Sequence, residues 1–389
     1  MLCNPQDNRM KKYLLLLGVL SLSSCQDGTL VEEAVLIGTD TNEAATLDNS
    51  INKKAKNIIL FIGDGMGPSQ VELARLSVGG ANHRLSFENF PVTGIVLNSS
   101  VQNLYTDSAA AATTWAAGVK TKNGYLSVDT DNKFLPTIPE LLSTKGYLTG
   151  LVATSSITHA TPAAFYAHIN SRSKHKKIAE MLVESDIAIA LGGGSEFFKL
   201  PLSDQAIHII DNGNSLDQDD LVQHARVLGL FGEDGLDRRL SPPTQLKMTA
   251  TALDFLDSKT SNCPGFFLMS EGSQIDWAGH DNNVKYMLAE FADFDDSIAA
   301  AIEFAKQDKE TLILVTADHA TGGLVLQKPR GSSIRAQWTT TSHDLSPINI
   351  YAFGPGADLF SGVMDNTEIF DRMLQALDYE SLDSNNCVD

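Results

Sequence analysis

An aspartate and a histidine stand four residues apart in the stretch SEGSQIDWAGHDNN, where Asp276 and His280 would share one face of a helix or helical turn. A carboxylate and an imidazole so placed can chelate one ion, and zinc favours such mixed oxygen and nitrogen sets. Glu271, five residues before Asp276, points elsewhere and could serve a neighbouring ion. Taken alone, the spacing fits equally well a charge pair that caps or solvates a helix.

Two more histidines occupy positions suited to metal binding. Asp318 and His319 are adjacent in TADHATGG, where the diverging backbone at the end of an apolar run lets both side chains reach a single ion. His343 lies in TTSHDLSP, ahead of another apolar run. A loop histidine of this kind is often simply exposed to solvent, so His343 is either a metal ligand or an exposed residue without a role in the site.

Two other stretches suit an anion held beside metal ions. Asp64 lies among glycines in FIGDGMG, and glycine lets the backbone pass close to ions or phosphate, although the P-loop lysine is absent. ITHATPAAFYAHINSR contains His159, Thr161 and, thirteen residues after His159, Arg172. A guanidinium fork matches two phosphate oxygens, but an arginine here also fits a cation at a helix end.

Ser108 stands between Asp107 and four consecutive alanines in LYTDSAAAATTWAAG. It has two interpretations, a nucleophile or the cap of an alanine-rich helix. In the first turn of such a helix, its hydroxyl oxygen would gain from the helix dipole.

Short apolar runs bounded by glycine or polar residues must position these side chains. They are continuous rather than alternating, as in strands of a sheet covered on both faces: NIILFIG, YLTGLVATS, IAIALGGG, GFFLMSEG, TLILVTAD and INIYAFGPG. Between them, amphipathic stretches such as Asn282 to Asp308 predict helices. The alternation predicts a three-layer, doubly wound α/β fold with a mostly parallel sheet, and the candidate residues follow strands at their carboxyl ends, where such sheets build their sites.

The overall charge argues against a nucleic-acid partner. The chain has 389 residues, of which 43% are hydrophobic, and its 29 basic against 48 acidic side chains give a net charge of −19, a field that repels phosphate backbones. The stretch from Ser173 to about Ser241 is rich in charge and shows no pattern of metal ligands, so we expect peripheral helices and loops there.

The N-terminus predicts export. From Met10, which looks a truer start than Met1, the sequence MKKYLLLLGVLSLSSC has two lysines, a short apolar core and an ending like a bacterial lipobox. We therefore expect a signal peptide over 1–25, lipidation at Cys25, and a periplasmic or surface location in the cell envelope; an ordinary cleaved signal is the alternative. Residues 26–56 are polar and predict a flexible tether, and 57–389 form the folded domain.

The motifs together resemble the alkaline phosphatase family in its full motif order, from about Asn57 to Gly354: IGDGMG, TDSAAAATTWAAG, HATPAAFYAHINSR, EGSQIDWAGH, TADHATGG and a later Thr-Ser-His. The resemblance implies that Ser108 is the nucleophile and that Asp107 orients Arg172 toward the phosphate. It implies two zinc sites, of which the first comprises Asp276, His280 and His343, and the second comprises Asp64, Asp318, His319 and the Ser108 oxygen. A third ion, magnesium, would be held by Asp64, Thr161 and Glu271.

Two positions depart from some members of that family. His159 stands where some carry aspartate beside the third ion, and Trp277 stands where some carry lysine or histidine near the phosphate. The resemblance also implies a homodimer and, because few residues separate His319 from His343, a small crown insertion. The cysteines left in the mature domain are Cys263 and Cys387, and the sequence leaves their pairing open.

The expected activity is broad-range hydrolysis of phosphate monoesters at alkaline pH through a phosphoserine. Such esters hydrolyse very slowly in water, and divalent ions supply the electrostatic assistance that the reaction needs. One alternative is a phosphodiesterase of the same superfamily, which a threonine at position 108 would have favoured. The other is a lipoprotein that only binds phosphate or metal, which a missing nucleophile or ligand would have favoured.

Overall fold

The computed structural model describes residues 31–39, 47, 54–200, 202, 206–213, 216, 218–237, 243–260 and 263–382. The predicted signal peptide 1–25, with Met1, Met10 and the lipidation site Cys25, lies outside the described residues, as does Cys387. Within the described part of the chain, no helix is both long enough and apolar enough to cross a membrane.

Thirteen strands are described, and most follow continuous runs of β-branched and other apolar residues. In chain order they are β1 Val31–Leu36, β2 Asn57–Gly63, β3 Val92–Leu97, β4 Leu148–Ser156, β5 Ile189–Gly193, β6 Ile207–Ile210, β7 Arg226–Leu230, β8 Phe266–Gly272, β9 Thr311–Thr316, β10 Val325–Arg330, β11 Ser333–Trp338, β12 Ile348–Phe353 and β13 Gly362–Asp365.

Ten of these strands form one sheet in the order β13-β3-β12-β9-β2-β8-β4-β5-β7-β6. Among the described strands of this sheet, β12 alone runs against its neighbours, β3 and β9. Every residue of β2 and β8 is buried, which requires cover on both faces of the sheet. The prediction of a mostly parallel α/β sheet with helices on both faces is confirmed.

The α-helices pack on this sheet and on one another. They are α1 Pro68–Gly79, α2 Ser108–Ala117, α3 Ile138–Ser143, α4 Ala160–Ala163, α5 His175–Glu184, α6 Gln218–Leu221, α7 Gln245–Lys259, α8 Gln274–His280, α9 Val284–Asp308 and α10 Glu368–Leu377. Helices α7 and α9 pack together over the central strands, and α2 packs against α4 and α10. The amphipathic stretch from Asn282 is α9, with the Asn283 side chain accepting from the Tyr286 N–H at its start.

The prediction of a tether over residues 26–56 does not hold for Val31–Leu36. These residues form β1, which pairs antiparallel with β11 and completes a three-stranded sheet with β10. The side chain of Val35 is fully buried there. The partner strand lies about 300 residues further along the chain, so no local pattern reveals the pairing. The small crown insertion predicted between His319 and His343 is the β10–β11 hairpin.

The stretch from Ser173 to Ser241 is more central than predicted. It supplies β5, which the run IAIALGGG predicts, and also β7 and the edge strand β6, which were not predicted. These last two strands are short and flanked by charged residues, and they lack the long apolar run that marks β2 or β9. The same stretch also contains a group of possible metal ligands, contrary to expectation.

Candidate active site

Ser108 is the first residue of α2, and Asp107 is its N-cap. Asp107 Oδ1 accepts a hydrogen bond from the Ala110 N–H at 2.9 Å, so the aspartate, not the serine, caps the helix. Ser108 is 2% exposed, and its Oγ lies 3.4 Å from Nε2 of His319. The small alanines after it are buried, so the helix lies close against its neighbours.

Arg172 is held beside this helix by the same aspartate. Asp107 Oδ2 accepts from Arg172 Nη1 at 3.1 Å and from the Gly124 N–H at 2.9 Å. Arg172 Nη2 lies 3.2 Å from His159 Nε2. The guanidinium is 26% exposed and is fixed at two of its nitrogens, which leaves its remaining donors for an anion.

Asp276, His280 and His343 come together as one group of candidate ligands. Their ligand atoms all lie within 4.8 Å of one another. Helix α8 places Asp276 Oδ2 at 3.3 Å from His280 Nε2, as the four-residue spacing predicts. The Nδ1 atoms of both histidines face backbone oxygens, of Thr341 for His280 and of Thr106 for His343, which leaves each Nε2 for a metal.

A second group consists of Asp64, Asp318 and His319, again with ligand atoms within 4.8 Å. His319 Nε2 lies 3.0 Å from Asp318 Oδ2 and 3.6 Å from Asp64 Oδ1. These three side chains are at most 1% exposed. Because His319 also faces Ser108 Oγ, the serine lies directly beside this group.

A third group contains Asp64, His159 and Glu271. It shares Asp64 with the second group, so this carboxylate could bridge two ions. Thr161, at the start of α4, is fully buried, and its Oγ1 has no hydrogen-bond partner among the described residues. The structure therefore brings Asp64 and Glu271 together with His159, which the sequence had placed beside the third ion, and Thr161 also faces Glu271.

The buried polar atoms test whether this centre fits metal ions. Within the described residues, no hydrogen-bond partner exists for either oxygen of Asp64 or Glu271, for Asp318 Oδ2, or for His159 Nδ1. Buried polar atoms are normally paired, and an unpaired buried carboxylate is costly. Carboxylates and imidazoles are the ligands that divalent ions take, so the donor set fits the ions.

The charges of these groups disturb one another strongly. Burial, together with the negative charges of Asp318 and Asp276, raises the pKa of Asp64 well above its usual range. Burial raises the pKa of Glu271 to about 7, and burial with the charge of Arg172 lowers the pKa of His159 to about 3. The hydrogen bond to Asp276 raises the pKa of His280 to about 9. Bound cations would compensate this concentration of buried carboxylates.

Gly65 explains why the Asp64 segment is rich in glycine. Its φ is +70°, and a Cβ there would lie 2.8 Å from the Asp276 Cα and 2.8 Å from Thr321 Oγ1. Its N–H donates to Asp318 Oδ1 at 3.0 Å. The loop after β2 thus passes between two ligand groups at a distance that only glycine permits.

Trp277 lies at the edge of the site, half-buried. Its ring meets that of His159 edge to face, with centroids 6.1 Å apart, and its six-membered ring lies against the backbone of Gly235. A cavity of about 750 Å³ opens beside it and is also lined by Gln274, Lys285 and Tyr286. The structure therefore places Trp277 between His159 and an open cavity.

Sequence reasoning missed several groups that hold the candidate ligands. The Thr321 hydroxyl donates to Asp276 Oδ1 and lies 3.2 Å from His319 Nδ1, so it ties two ligand groups together. Its position two residues after His319 in TADHATGG was the available signal. The backbone oxygens of Thr106 and Thr341 carry no side-chain signal, so no sequence pattern could have found them.

Comparisons with known proteins agree with this geometry. The family model for alkaline phosphatase matches residues 55–231 and 203–337. The chain is 32% identical to Alkaline phosphatase 3 of Bacillus subtilis, over 95% of this chain and 98% of that one, and 31% identical to the Escherichia coli alkaline phosphatase over 87% and 89%. The structure of the alkaline phosphatase from the Antarctic bacterium TAB5 is similar, at a TM-score of 0.77 and 34% identity, covering 84% of this chain and 99% of that one.

The match covers most of the chain, and the sheet order, the helix that presents Ser108 and the ligand groups all fall within it. The chain therefore belongs to the alkaline phosphatase family, and it is a phosphatase enzyme of that family.

Proposed function

We propose that the protein hydrolyses a broad range of phosphate monoesters through a phosphoserine on Ser108, with two zinc ions and one magnesium ion. The observation that carries the proposal is the position of Ser108 Oγ. It lies at the N-terminus of α2, beside the Asp64, Asp318 and His319 group, on the helix whose cap holds Arg172.

The donor atoms support this choice of ions. The two groups that contain His280, His343 and His319 mix nitrogen with oxygen, as zinc prefers. The third group offers the carboxylate oxygens of Asp64 and Glu271 beside the His159 imidazole. The buried Thr161 hydroxyl adds a further oxygen donor, and oxygen ligands suit magnesium. When bound, such ions supply Lewis-acid charge that stabilises the negative oxygens of the phosphoryl group during transfer.

The chain's own residues would carry the remaining steps. The Ser108 Oγ gives up its proton and forms a bond to phosphorus as the bond from phosphorus to the leaving oxygen breaks, and the leaving oxygen takes up a proton to become the alcohol. Water then attacks the phosphoserine, its oxygen bonding to phosphorus as the bond to Ser108 Oγ breaks, which releases inorganic phosphate and returns a proton to the serine. Each step inverts phosphorus, so the net result is retention. The positive end of the α2 dipole and the guanidinium of Arg172 stabilise the charge on the phosphoryl oxygens.

A cavity beside Trp277 supports the proposal of a broad substrate range. The cavity beside Trp277 is large enough for alcohol groups of varied shape, which favours broad specificity. Among relatives of this chain, a Streptomyces griseus protein 30% identical over 90% of the chain is named for streptomycin 6-phosphate, also a monoester. A phosphodiesterase would instead hydrolyse bis-aryl esters preferentially.

The test is the Ser108→Ala variant, assayed on p-nitrophenyl phosphate and on bis(p-nitrophenyl) phosphate. We expect the monoesterase kcat to fall at least about 1,000-fold, because the covalent step loses its nucleophile. Ser77→Ala is the control, since Ser77 is also a buried helical serine, but its hydroxyl donates to the Ala74 oxygen within α1 and belongs to none of the ligand groups. Near-wild-type monoesterase activity in Ser108→Ala would refute the mechanism, and a preference for the diester would refute the substrate class.

We also propose that the protein is exported to the cell envelope and anchored by a lipid on Cys25, and that it forms a homodimer. The LSSC ending of the leader supports the anchor.

The half- to largely exposed side chains of Ile95, Leu97 and Val363 on the adjacent strands β3 and β13 offer an apolar surface for a second copy. Labelling with a radioactive fatty acid in wild type and Cys25→Ala tests the anchor, and light scattering of wild type against Leu97→Lys tests the dimer.

A further inference from the structure

A second kind of metal site is suggested at the edge of the large sheet. We propose that His208, Asp220 and His224 bind a divalent ion of the zinc type, and that this ion fixes the edge strand β6 to the crossover leading into β7. The ligand atoms of the three side chains all lie within 4.8 Å of one another. None of these residues belongs to the candidate active site.

The three residues come from three successive pieces of the chain. His208 is the second residue of β6, Asp220 lies in the short helix α6, and His224 lies in the turn between α6 and β7. The turn brings His224 back toward the strand, through a hydrogen bond from its N–H to the Leu221 oxygen at 3.0 Å. Leu221 is fully buried and holds α6 on the body of the protein. The group is thus assembled by the packed crossover rather than by neighbours in sequence.

The two imidazole rings are stacked, with centroids 3.8 Å apart and planes at 5°. Both rings are half-buried, while Asp220 is exposed, so solvent and ions can reach the group. An imidazole nitrogen directs its lone pair in the plane of the ring. Binding one ion therefore turns the rings out of the parallel stack about their χ2 bonds, which an edge position allows.

The donor set favours zinc over a hard ion. Two imidazole nitrogens and one carboxylate oxygen form the three-ligand set seen in open zinc sites, in which water takes the fourth position. Calcium and magnesium prefer oxygen ligands and larger numbers of them. A borderline-soft ion such as zinc therefore suits this group best.

This site lies far from the candidate active site. The pairing of residues on neighbouring parallel strands can be followed from β6 to β8. His208 on β6 pairs with Val227 on β7, which pairs with Ile189 on β5. Ile189 pairs with Gly150 on β4, and Gly150 pairs with Leu268 on β8. Four strand spacings separate β6 from β8, or about 19 Å. Glu271 lies three residues beyond Leu268, toward the carboxyl ends, whereas His224 precedes the start of β7. An ion here would serve the stability of the sheet edge rather than catalysis.

The edge strand has little else to hold it. Three of the four residues of β6 are only partly buried, and among the described strands β6 pairs with β7 alone. Short edge strands open readily, because few buried contacts oppose the opening. An ion that binds only the closed arrangement stabilises that arrangement by mass action.

The experiment compares the wild type with the double variant His208→Gln/His224→Gln, both purified with zinc and passed through gel filtration in metal-free buffer. We expect the double variant to retain one equivalent of zinc less per chain by mass spectrometry of the metal, with unchanged kcat on p-nitrophenyl phosphate. Hydrogen exchange of residues 207–230 should become slower on addition of zinc in the wild type and not in the double variant.

Two single variants guard against loss of folding. Asp220→Asn keeps both imidazoles and should raise the zinc dissociation constant of this site by at least about 10-fold. Asp211→Asn removes the same charge from an exposed position of the same crossover and should leave zinc content and exchange unchanged. Equal zinc content in the wild type and the double variant, or zinc protection of 207–230 that survives in the double variant, would overturn the proposal.

Discussion

Asp107 Oδ2 accepts a hydrogen bond from Arg172 Nη1 at 3.1 Å, while Oδ1 of the same carboxylate accepts from the Ala110 N–H at 2.9 Å. One side chain therefore fixes both the start of the helix that presents Ser108 and the guanidinium beside it. Asp107 therefore positions both Ser108 and Arg172, and a substitution at Asp107 should displace both side chains.

The Asp107→Asn variant tests this coupling. The two bonds use different oxygens of the carboxylate, and asparagine has an oxygen on one side only. Its NH2 group, a donor, must therefore face either the Ala110 N–H or Arg172, and one of the two bonds is lost. We expect kcat/KM for p-nitrophenyl phosphate to fall about 10- to 100-fold, because small errors in position are costly in catalysis. The free energy of unfolding should fall by about 1 kcal/mol. Steady-state kinetics, inhibition by inorganic phosphate and urea unfolding measure these effects.

Thr244→Val is the matched control for the loss of a cap. Thr244 caps α7, its Oγ1 accepting from the Lys247 N–H at 3.0 Å, and it has no place in the site. This variant should lose about 1 kcal/mol of stability with unchanged kcat/KM. If Asp107→Asn behaved like Thr244→Val, with only stability affected, Asp107 would not position Arg172.

Gly65→Ala should separate the ligand groups on either side of the loop after β2. The new Cβ would lie 2.8 Å from the Asp276 Cα, a contact with backbone that cannot be relieved by a side-chain rotation. We expect less zinc retained through gel filtration and a lower kcat.

Gly331→Ala is the control, since Gly331 has a similar φ of +63° and nothing within 4 Å of its Cβ position. Gly331→Ala should lose about 1 kcal/mol of stability and keep its zinc. Full zinc content in Gly65→Ala would contradict the steric argument.

The sequence predicts much of this site, for a physical reason. Strands such as β2 and β9 are buried on both faces, so they must be continuous apolar runs, and Asp64 and Asp318 follow them directly. Asp276 and His280 are also in contact on α8, as their i,i+4 spacing predicts, because α-helix geometry places residues four apart on the same face.

Other parts depend on contacts that no local pattern encodes. The pairing of β1 with β11 joins distant segments, and the backbone oxygens that orient His280 and His343 belong to residues of any type. His208 and His224 lie in a charged stretch without spacing typical of a metal site, and only the packing of α6 brings them together. Prediction from sequence fails where the position of a residue is set by tertiary packing rather than by the local geometry of a helix or strand.

Asp295 predicts how stability depends on pH. It is partly buried on α9, where the Ser86 N–H donates to its Oδ1 at 2.9 Å, and loss of solvent around the carboxyl raises its pKa to about 7. Because the folded pKa exceeds the unfolded value, the folded state gains from protonation below the unfolded pKa, and this gain is lost as pH rises through about 7. Between pH 5 and pH 8 the wild type should therefore lose about 2 kcal/mol relative to Asp295→Asn, whose amide keeps an acceptor for Ser86.

Urea unfolding of both proteins at several pH values measures this difference. Glu303→Gln removes an exposed carboxylate, paired with Lys306, from the same helix and should leave the wild-type pH profile unaltered. Parallel profiles for wild type and Asp295→Asn would show that the Asp295 carboxyl does not titrate in this range.

His159 should decide which ion the third group prefers. Its Nδ1 is buried without a hydrogen-bond partner among the described residues, and it shares a ligand group with Asp64 and Glu271. We expect His159→Asp to bind magnesium more tightly, since a carboxylate oxygen is a harder ligand than an imidazole nitrogen. We also expect its affinity for phosphate to change, since Arg172 Nη2 loses its contact with His159 Nε2 at 3.2 Å.

Magnesium titration followed by metal analysis checks the first effect, and inhibition by inorganic phosphate checks the second. His159→Asn separates charge from shape, because it offers an oxygen of similar reach without the negative charge; it should gain less magnesium affinity than His159→Asp. Magnesium affinity that is equal in the wild type and both variants would place His159 outside the third group. In that case its contact with Arg172 would be its main role, and both variants should still change the affinity for phosphate.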